Sequence, residues 1–181
     1  MELKDCILNR RSIRRYSDRP VTREQVEQIV SLASYAPSWK NTQVARYTAI
    51  TDRAVIEKLA AECVLGFTHN ADILRSCSVL VIQSIVNKRS GYERDGSFST
   101  TQGTHWESFD AGLAAQTFCL AAQEFGIGTC ILGIFDEIKT AEVLSLPEGQ
   151  TVSCMIPMGF PAEEPNAPKR KDVSELLRWI E

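Results

Sequence analysis

Trp106–Phe125, WESFDAGLAAQTFCLAAQEF, is the stretch from which the rest of the chain is best read. It has no proline, it is rich in small residues, chiefly alanine, and Gly126-Ile127-Gly128 closes it, as a helix C-terminus requires. Small side chains let neighbouring elements approach closely, so the reading predicts a helix at the centre of the molecule. Upstream, Ser78–Ile85 (SVLVIQSI) is β-rich and nearly continuously apolar, the pattern of a central strand. Between the two, Asn87–His105 is polar, rich in Gly, Ser and Thr, and without periodicity. It reads as a long loop or lid, with Tyr92, Phe98, His105 and Trp106 as possible pocket walls.

Working outward, Thr22 and Gln25 are spaced as a capping box for a helix from about Thr22 to Ser34, with Val26, Ile29, Val30 and Ala33 on one face. Ala36-Pro37 stops that helix. Tyr47–Thr51 reads as a strand, and Asp52 caps a helix carrying Val55, Ile56, Leu59, Ala60 and Cys63. Thr129–Ile134 and Gln150–Met158 read as strands, separated by a helix from Asp136 to about Leu144. Residues 3–9 predict a short helix with Leu3, Ile7 and Leu8 inward. Pro161, Pro165 and Pro168 mark an extended stretch before a last short helix capped at Asp172-Val173-Ser174-Glu175. About four strands and five or six helices without a regular βαβ repeat indicate an α+β fold. No repeat or linker divides the chain, so residues 1–181 are read as a single domain.

A chain of 181 residues with 44 % apolar and 24 % charged residues has the composition of a globular protein and excludes disordered and collagen-like classes. No apolar run reaches the roughly 18 residues of a spanning helix, and the N-terminal residues lack an apolar signal core. A cytoplasmic location without membrane attachment is the expectation. The six cysteines include no C-x-x-C pair and are read as free thiols. The two histidines form no metal-binding spacing, so no metal site is expected.

Arg10-Arg11-Ser12-Ile13-Arg14-Arg15 places four arginines around one serine in a chain whose net charge is −3. Guanidinium groups and a hydroxyl suit a phosphate. A solvated basic patch, a nucleic-acid site and a site for one small phosphorylated ligand all remain open on residue types alone, and the negative net charge disfavours nucleic acid. Lys169-Arg170-Lys171 is a second basic group. Neither a Rossmann glycine motif nor a P-loop is present.

Taken in order, five segments resemble the nitroreductase family of FMN-dependent NAD(P)H oxidoreductases. They are Arg10–Tyr16 (RRSIRRY), Ala36–Gln43 (APSWKNTQ), the helix beginning Asp110-Ala111-Gly112, Gly126–Gly133 (GIGTCILG), and Met158–Pro161 (MGFP) followed by Pro168–Lys171 (PKRK). The resemblance spans nearly the whole chain. It implies a central, mostly antiparallel sheet of about four to five strands flanked by helices, and a homodimer with one FMN per subunit at the interface. By position in the motifs, it implies that Arg10, Arg11 and Ser12 hold the FMN phosphate and ribityl chain, with Lys169 and Arg170 closing on the phosphate. It places the Arg14 cation near flavin N1 and O2, and Asn41 at the isoalloxazine edge on a stretch from Pro37 and Ser38. Leu132, Gly133 and Ile134 fall beside flavin N5.

Two departures concern the substrate pocket: Gln43-Val44-Ala45-Arg46 stands where many members have Pro-Trp, and Arg75-Ser76-Cys77 where many have Ala-Pro before the central strand. The implied reaction takes a hydride from NAD(P)H and passes electrons to an electron-poor acceptor, nitroaromatic or quinone-like, in ping-pong fashion. No protein acid–base dyad is then needed, because the flavin carries the chemistry. An FMN storage or sensing module, or an enzyme of the same fold performing reductive dehalogenation or flavin fragmentation, is the alternative.

Overall fold

A computed structural model of the chain describes residues 2–181. Helix α1 (Leu3–Asn9) leads into an extended segment, followed by α2 (Arg23–Ala33), a single 3₁₀ turn (Trp39–Asn41) and strand β1 (Ala45–Ile50). Helices α3 (Arg53–Glu62) and α4 (Thr68–Ser76) precede β2 (Val79–Val86). After the 87–104 loop come α5 (His105–Glu124), β3 (Gly128–Thr129), α6 (Glu137–Val143), β4 (Gln150–Gly159) and the one-turn α7 (Val173–Leu176).

The strands form one sheet in the order β1-β2-β4-β3, and every pairing is antiparallel. A bulge at Gln83/Ser84 shifts the β2–β4 register. Side chains alternate across the sheet. Val79 and Val81 of β2 join Cys154, Ile156 and Met158 of β4 against α2 and α5. Leu80 and Ile82 join Val152 and Met155 on the opposite face, against α3 and α4, with α6 residues packed at the edge. The sheet is therefore the middle of three layers, which is why β2 reads as a continuous apolar run. Phe118 of α5 is fully buried, and so are Ala122 and, nearly, Ala115. The small residues let this helix lie close to the sheet.

Local signals place the helix starts. Thr22 and Gln25 exchange both bonds of the capping box, Asp52 accepts from Ala54 N and Val55 N, and Asp136 accepts from Lys139 N. Three expectations change. Helix α4 has no counterpart in the sequence reading. Its N-cap is Phe67, which offers no side-chain cap, so the usual start signal is missing. The expected strand 129–134 shrinks to Gly128–Thr129 plus one bridge from Leu132 to Met155. Leu132 keeps the β3–β4 register, but Ile131 and Ile134 project to the surface and the chain leaves the sheet. Helix α1 forms, yet Leu3, Ile7 and Leu8 are more than half exposed and Cys6 is the residue it buries, beside Glu124 at the end of α5.

Candidate functional site

The basic segment 10–16 runs extended along the β3 end of the sheet. Ser12 bridges Thr129 in parallel, Ile13 N donates to Thr129 O, and Ser17 N donates to Phe160 O. Ile13 and Tyr16 turn inward, and the Tyr16 hydroxyl lies 2.7 Å from Ile13 O and 2.9 Å from Pro157 O. Two glycines make this contact possible. A Cβ on Gly128 would sit 2.5 Å from Ile13 Cγ1, and one on Gly159 would sit 2.9 Å from Tyr16 Cβ. With Ile13 and Tyr16 anchored, Arg14 and Arg15 are left at the surface, while Arg10, Arg11 and Ser12 are half-buried.

Ser12 pairs with Thr129, so the strip of chain that carries Arg10, Ser12 and Arg14 runs beside Cys130. Burial pushes the Cys130 thiol above its ordinary value, and Arg14, Ser12 and Arg10 all act on it in the opposite direction. The cations expected at a phosphate and the 130–134 segment are thus neighbours. Arg14 Nη1 donates to Ser12 O at 3.2 Å. Arg11 Nη1 instead donates to Leu8 O and Arg10 O, closing the end of α1. Lys169 and Arg170 are exposed, and the Arg170 side chain bonds to Pro168 O. The tail meets the basic segment further upstream, where Arg14 N donates to Glu163 Oε1 and Ala162 N to Arg15 O.

Segment 130–134 is held from behind. Leu132 and Met155 exchange both backbone bonds, and Asn70 of α4, 4 % exposed, donates to Ile134 O at 3.1 Å. The outer side is open: nothing lies within 4 Å of a Cβ built on Gly133, which also has an ordinary backbone conformation.

The third piece, Pro37–Gln43, is a tight turn. Lys40, Asn41 and Gln43 have φ of +45°, +55° and +48°, left-handed values that cost non-glycine residues about 1–2 kcal/mol each. Gln43 N donates to Ser38 Oγ and Asn41 N to Ser38 O, so Ser38 closes the turn. Trp39 Nε1 and Thr42 Oγ1 are buried without a partner among the described residues. Asn41 is exposed at the tip. Behind the turn, a cavity of about 640 Å³ lies between α2, β1 and α5, walled in part by Val30, Ser38, Tyr47 and Asp110.

The lid 87–104 is ordered by contacts within itself and with α5. Tyr92 and Phe98 bridge and pack at 4.8 Å, and Trp106 Nε1 donates to Thr100 Oγ1. Of the four suggested wall residues, Phe98 and His105 are exposed and Tyr92 and Trp106 are half-buried. Asn70 and Asp110 carry no local sequence signal that marks them as site residues. Both are buried polar groups bonded across the fold, and only that context distinguishes them.

Residues 7–160 match the Nitroreductase family. The chain belongs to that family. A protein of Archaeoglobus fulgidus whose name gives NADH dehydrogenase/NAD(P)H nitroreductase is 30 % identical over 90 % of this chain and 88 % of its own length. FMN reductase (NADPH) of Bacillus subtilis is 28 % identical over 92 % of this chain and 70 % of its own. A crystal structure from Desulfovibrio desulfuricans, in complex with FMN, superposes with a TM-score of 0.78 at 28 % identity, covering all of this chain and 98 % of that one. The α+β architecture of this nitroreductase-family chain, with its antiparallel sheet, agrees with the expectation from sequence.

Proposed function

We propose that this nitroreductase-family protein is an FMN-dependent oxidoreductase, a single FMN-binding domain that takes a hydride from NAD(P)H and passes electrons to an electron-poor small-molecule acceptor by a ping-pong mechanism. The observation that carries the reading is the pairing of the basic segment with the start of the 128–134 stretch, Ser12 bridging Thr129 and Ile13 N donating to Thr129 O. The names of the Bacillus subtilis and Archaeoglobus fulgidus relatives, and the FMN complex of the Desulfovibrio protein, support the same cofactor and reductant.

The residues present fit FMN. Guanidinium and hydroxyl donors match a phosphate, and the backbone at Gly133 is uncovered on its outer side. Arg10, Arg11 and Ser12 hold the phosphate and ribityl chain, and Lys169 and Arg170 belong to the same phosphate site. Arg14 supplies positive charge toward N1 and O2. Pro37, Ser38 and Asn41 present an amide to the ring edge, while Leu132, Gly133 and Ile134 offer backbone beside N5. FMN held by these residues would supply the two-electron, hydride-accepting chemistry that no side chain here provides. Arg14 favours the negative charge that reduction brings to its side of the ring.

A homodimer completes the proposal, with Asn41 reaching the partner's flavin. Apolar surface left open on three elements supports it: Leu3, Ile7 and Leu8 on α1, Phe109 on α5, and Trp179 and Ile180 in the tail are all more than half exposed. The cytoplasm is the proposed location. Six buried free thiols favour a reducing compartment, and no helix among the described residues is long and apolar enough to cross a membrane.

The test is an absorbance spectrum of the purified protein before and after anaerobic NADH and NADPH. Flavin bands that bleach support the reading. FMN that binds but does not bleach turns it toward storage or sensing, and a protein that stays colourless with added FMN removes it.

A further inference from the structure

We infer that Asp110 is a positioning residue for the flavin-edge turn, an inference that rests on the FMN reading above. Asp110 lies in the first third of α5 and is 3 % exposed. One oxygen, Oδ2, accepts from two loops. Trp39 N donates to it at 2.9 Å, and the Ser90 hydroxyl donates to it from the lid. Trp39 is the residue immediately before the left-handed pair Lys40 and Asn41. The carboxylate therefore grips the turn at the step where its backbone becomes strained.

Such a backbone persists only where its surroundings over-determine it. The bond from Trp39 N ties the backbone of this turn to the sheet-packed helix. The backbone donors Asn41 N, Thr42 N and Gln43 N bond inside the turn, and its other outward bonds are the Lys40 side chain to Glu93 and Gln43 O from Arg46 Nη1. Two further contacts hold the turn from outside: the Trp39 ring packs on Trp106 of α5 at 4.6 Å, and Lys40 Nζ pairs with Glu93 Oε1 of the lid at 2.9 Å. The ion pair is exposed on both sides and holds little by itself. The buried carboxylate is the joint through which α5, lid and turn share one geometry, and it sets where Asn41 stands.

The test measures FMN dissociation constants of the wild type, Asp110→Ala, Asp110→Asn, Asn41→Ala and the double variant Asp110→Ala/Asn41→Ala, with thermal unfolding of each. Asp110→Ala is expected to weaken FMN about tenfold, the scale of one lost hydrogen bond to a charged group. Asp110→Asn keeps an acceptor oxygen in place and should restore binding to within about threefold. In the Asn41→Ala background, Asp110→Ala should add nothing, because the loss acts through Asn41. Multiplying effects in the double variant overturn the inference, as does FMN binding unchanged by Asp110→Ala or by Asn41→Ala. If Asp110→Ala fails to fold, Ser90→Ala goes through the same cycle with the same criterion. A wild type that binds no FMN removes the cofactor reading and this inference together. FMN bound and weakened by Asn41→Ala, with multiplying effects of Asp110→Ala, removes this inference alone.

Discussion

Two glycines of the site face opposite demands. Gly128 is required by the protein itself, because any Cβ there meets the Ile13 side chain at 2.5 and 2.8 Å. Gly128→Ala is expected to destabilise the apo-protein by about 1–3 kcal/mol, the usual scale of overpacking, and to weaken FMN by displacing Arg10–Arg14. Gly133 meets nothing within 4 Å. Gly133→Ala should leave the apo-protein's denaturant midpoint unchanged and still weaken FMN. Denaturation and flavin titration on both variants check the pair, and unaltered FMN binding in Gly133→Ala would take that backbone away from the ring. At the basic segment, Arg10→Ala and Ser12→Ala should lose FMN from a folded protein, since neither side chain is part of the apolar core. With Arg14 beside the ring as proposed, Arg14→Ala should lower the flavin reduction potential, read by equilibrium titration against a dye, because a positive charge there favours the reduced form.

Among the elements, α2 shows how far a local signal reaches. Thr22 Oγ1 accepts from Gln25 N at 3.3 Å and Gln25 Oε1 accepts from Thr22 N at 3.0 Å, so both bonds of the box form within four residues of chain. Thr22→Ala should cost about 1 kcal/mol of stability, measured by urea unfolding, and leave FMN affinity unaltered. Helix α5 behaves differently. It carries apolar residues on nearly every face, as a helix with neighbours all round does. Yet Phe109 is 56 % exposed and nothing lies within 4 Å of a Cβ built on Gly112. Sedimentation velocity across a concentration series is expected to show a dimer.

For the whole molecule, the three-layer packing sets the chemistry of the thiols. All six cysteines are buried and none is in a disulfide. Burial pushes Cys77 up to about 11 and Cys154 to about 12 from an ordinary 9.0, and Tyr47 to about 12 from 10.0. A raised folded-state value means the folded protein holds its proton more tightly than the unfolded chain. That stabilisation is complete below about pH 9 and is lost as pH climbs from there through 11 to 12. Alkaline unfolding followed by circular dichroism should therefore begin above pH 9. A chromogenic thiol reagent at pH 8 should find the thiols unreactive until denaturant is added; rapid reaction of one cysteine in the folded protein would mark it as more accessible than the packing allows.

The sequence by itself determined the elements whose causes lie within a few residues: the capped starts of α2, α3 and α6, the apolar run of β2, the small-residue helix α5 and the polar lid. It also determined the order of the motifs, and hence the family and the expected cofactor. Tertiary structure alone decided the rest. Helix α4 has no cap to announce it and is held by the burial of Ala71, Ile73 and Leu74. The inward faces predicted for Leu3, Ile7 and Leu8 failed because α1 meets little beyond the end of α5. The close approach of Ile13 to Gly128 and the grip of Asp110 on Trp39 join residues 115 and 71 positions apart. No local pattern encodes such pairs. They exist because the sheet and α5 bring distant backbone together, and a buried polar group or a bare glycine is what that approach then requires.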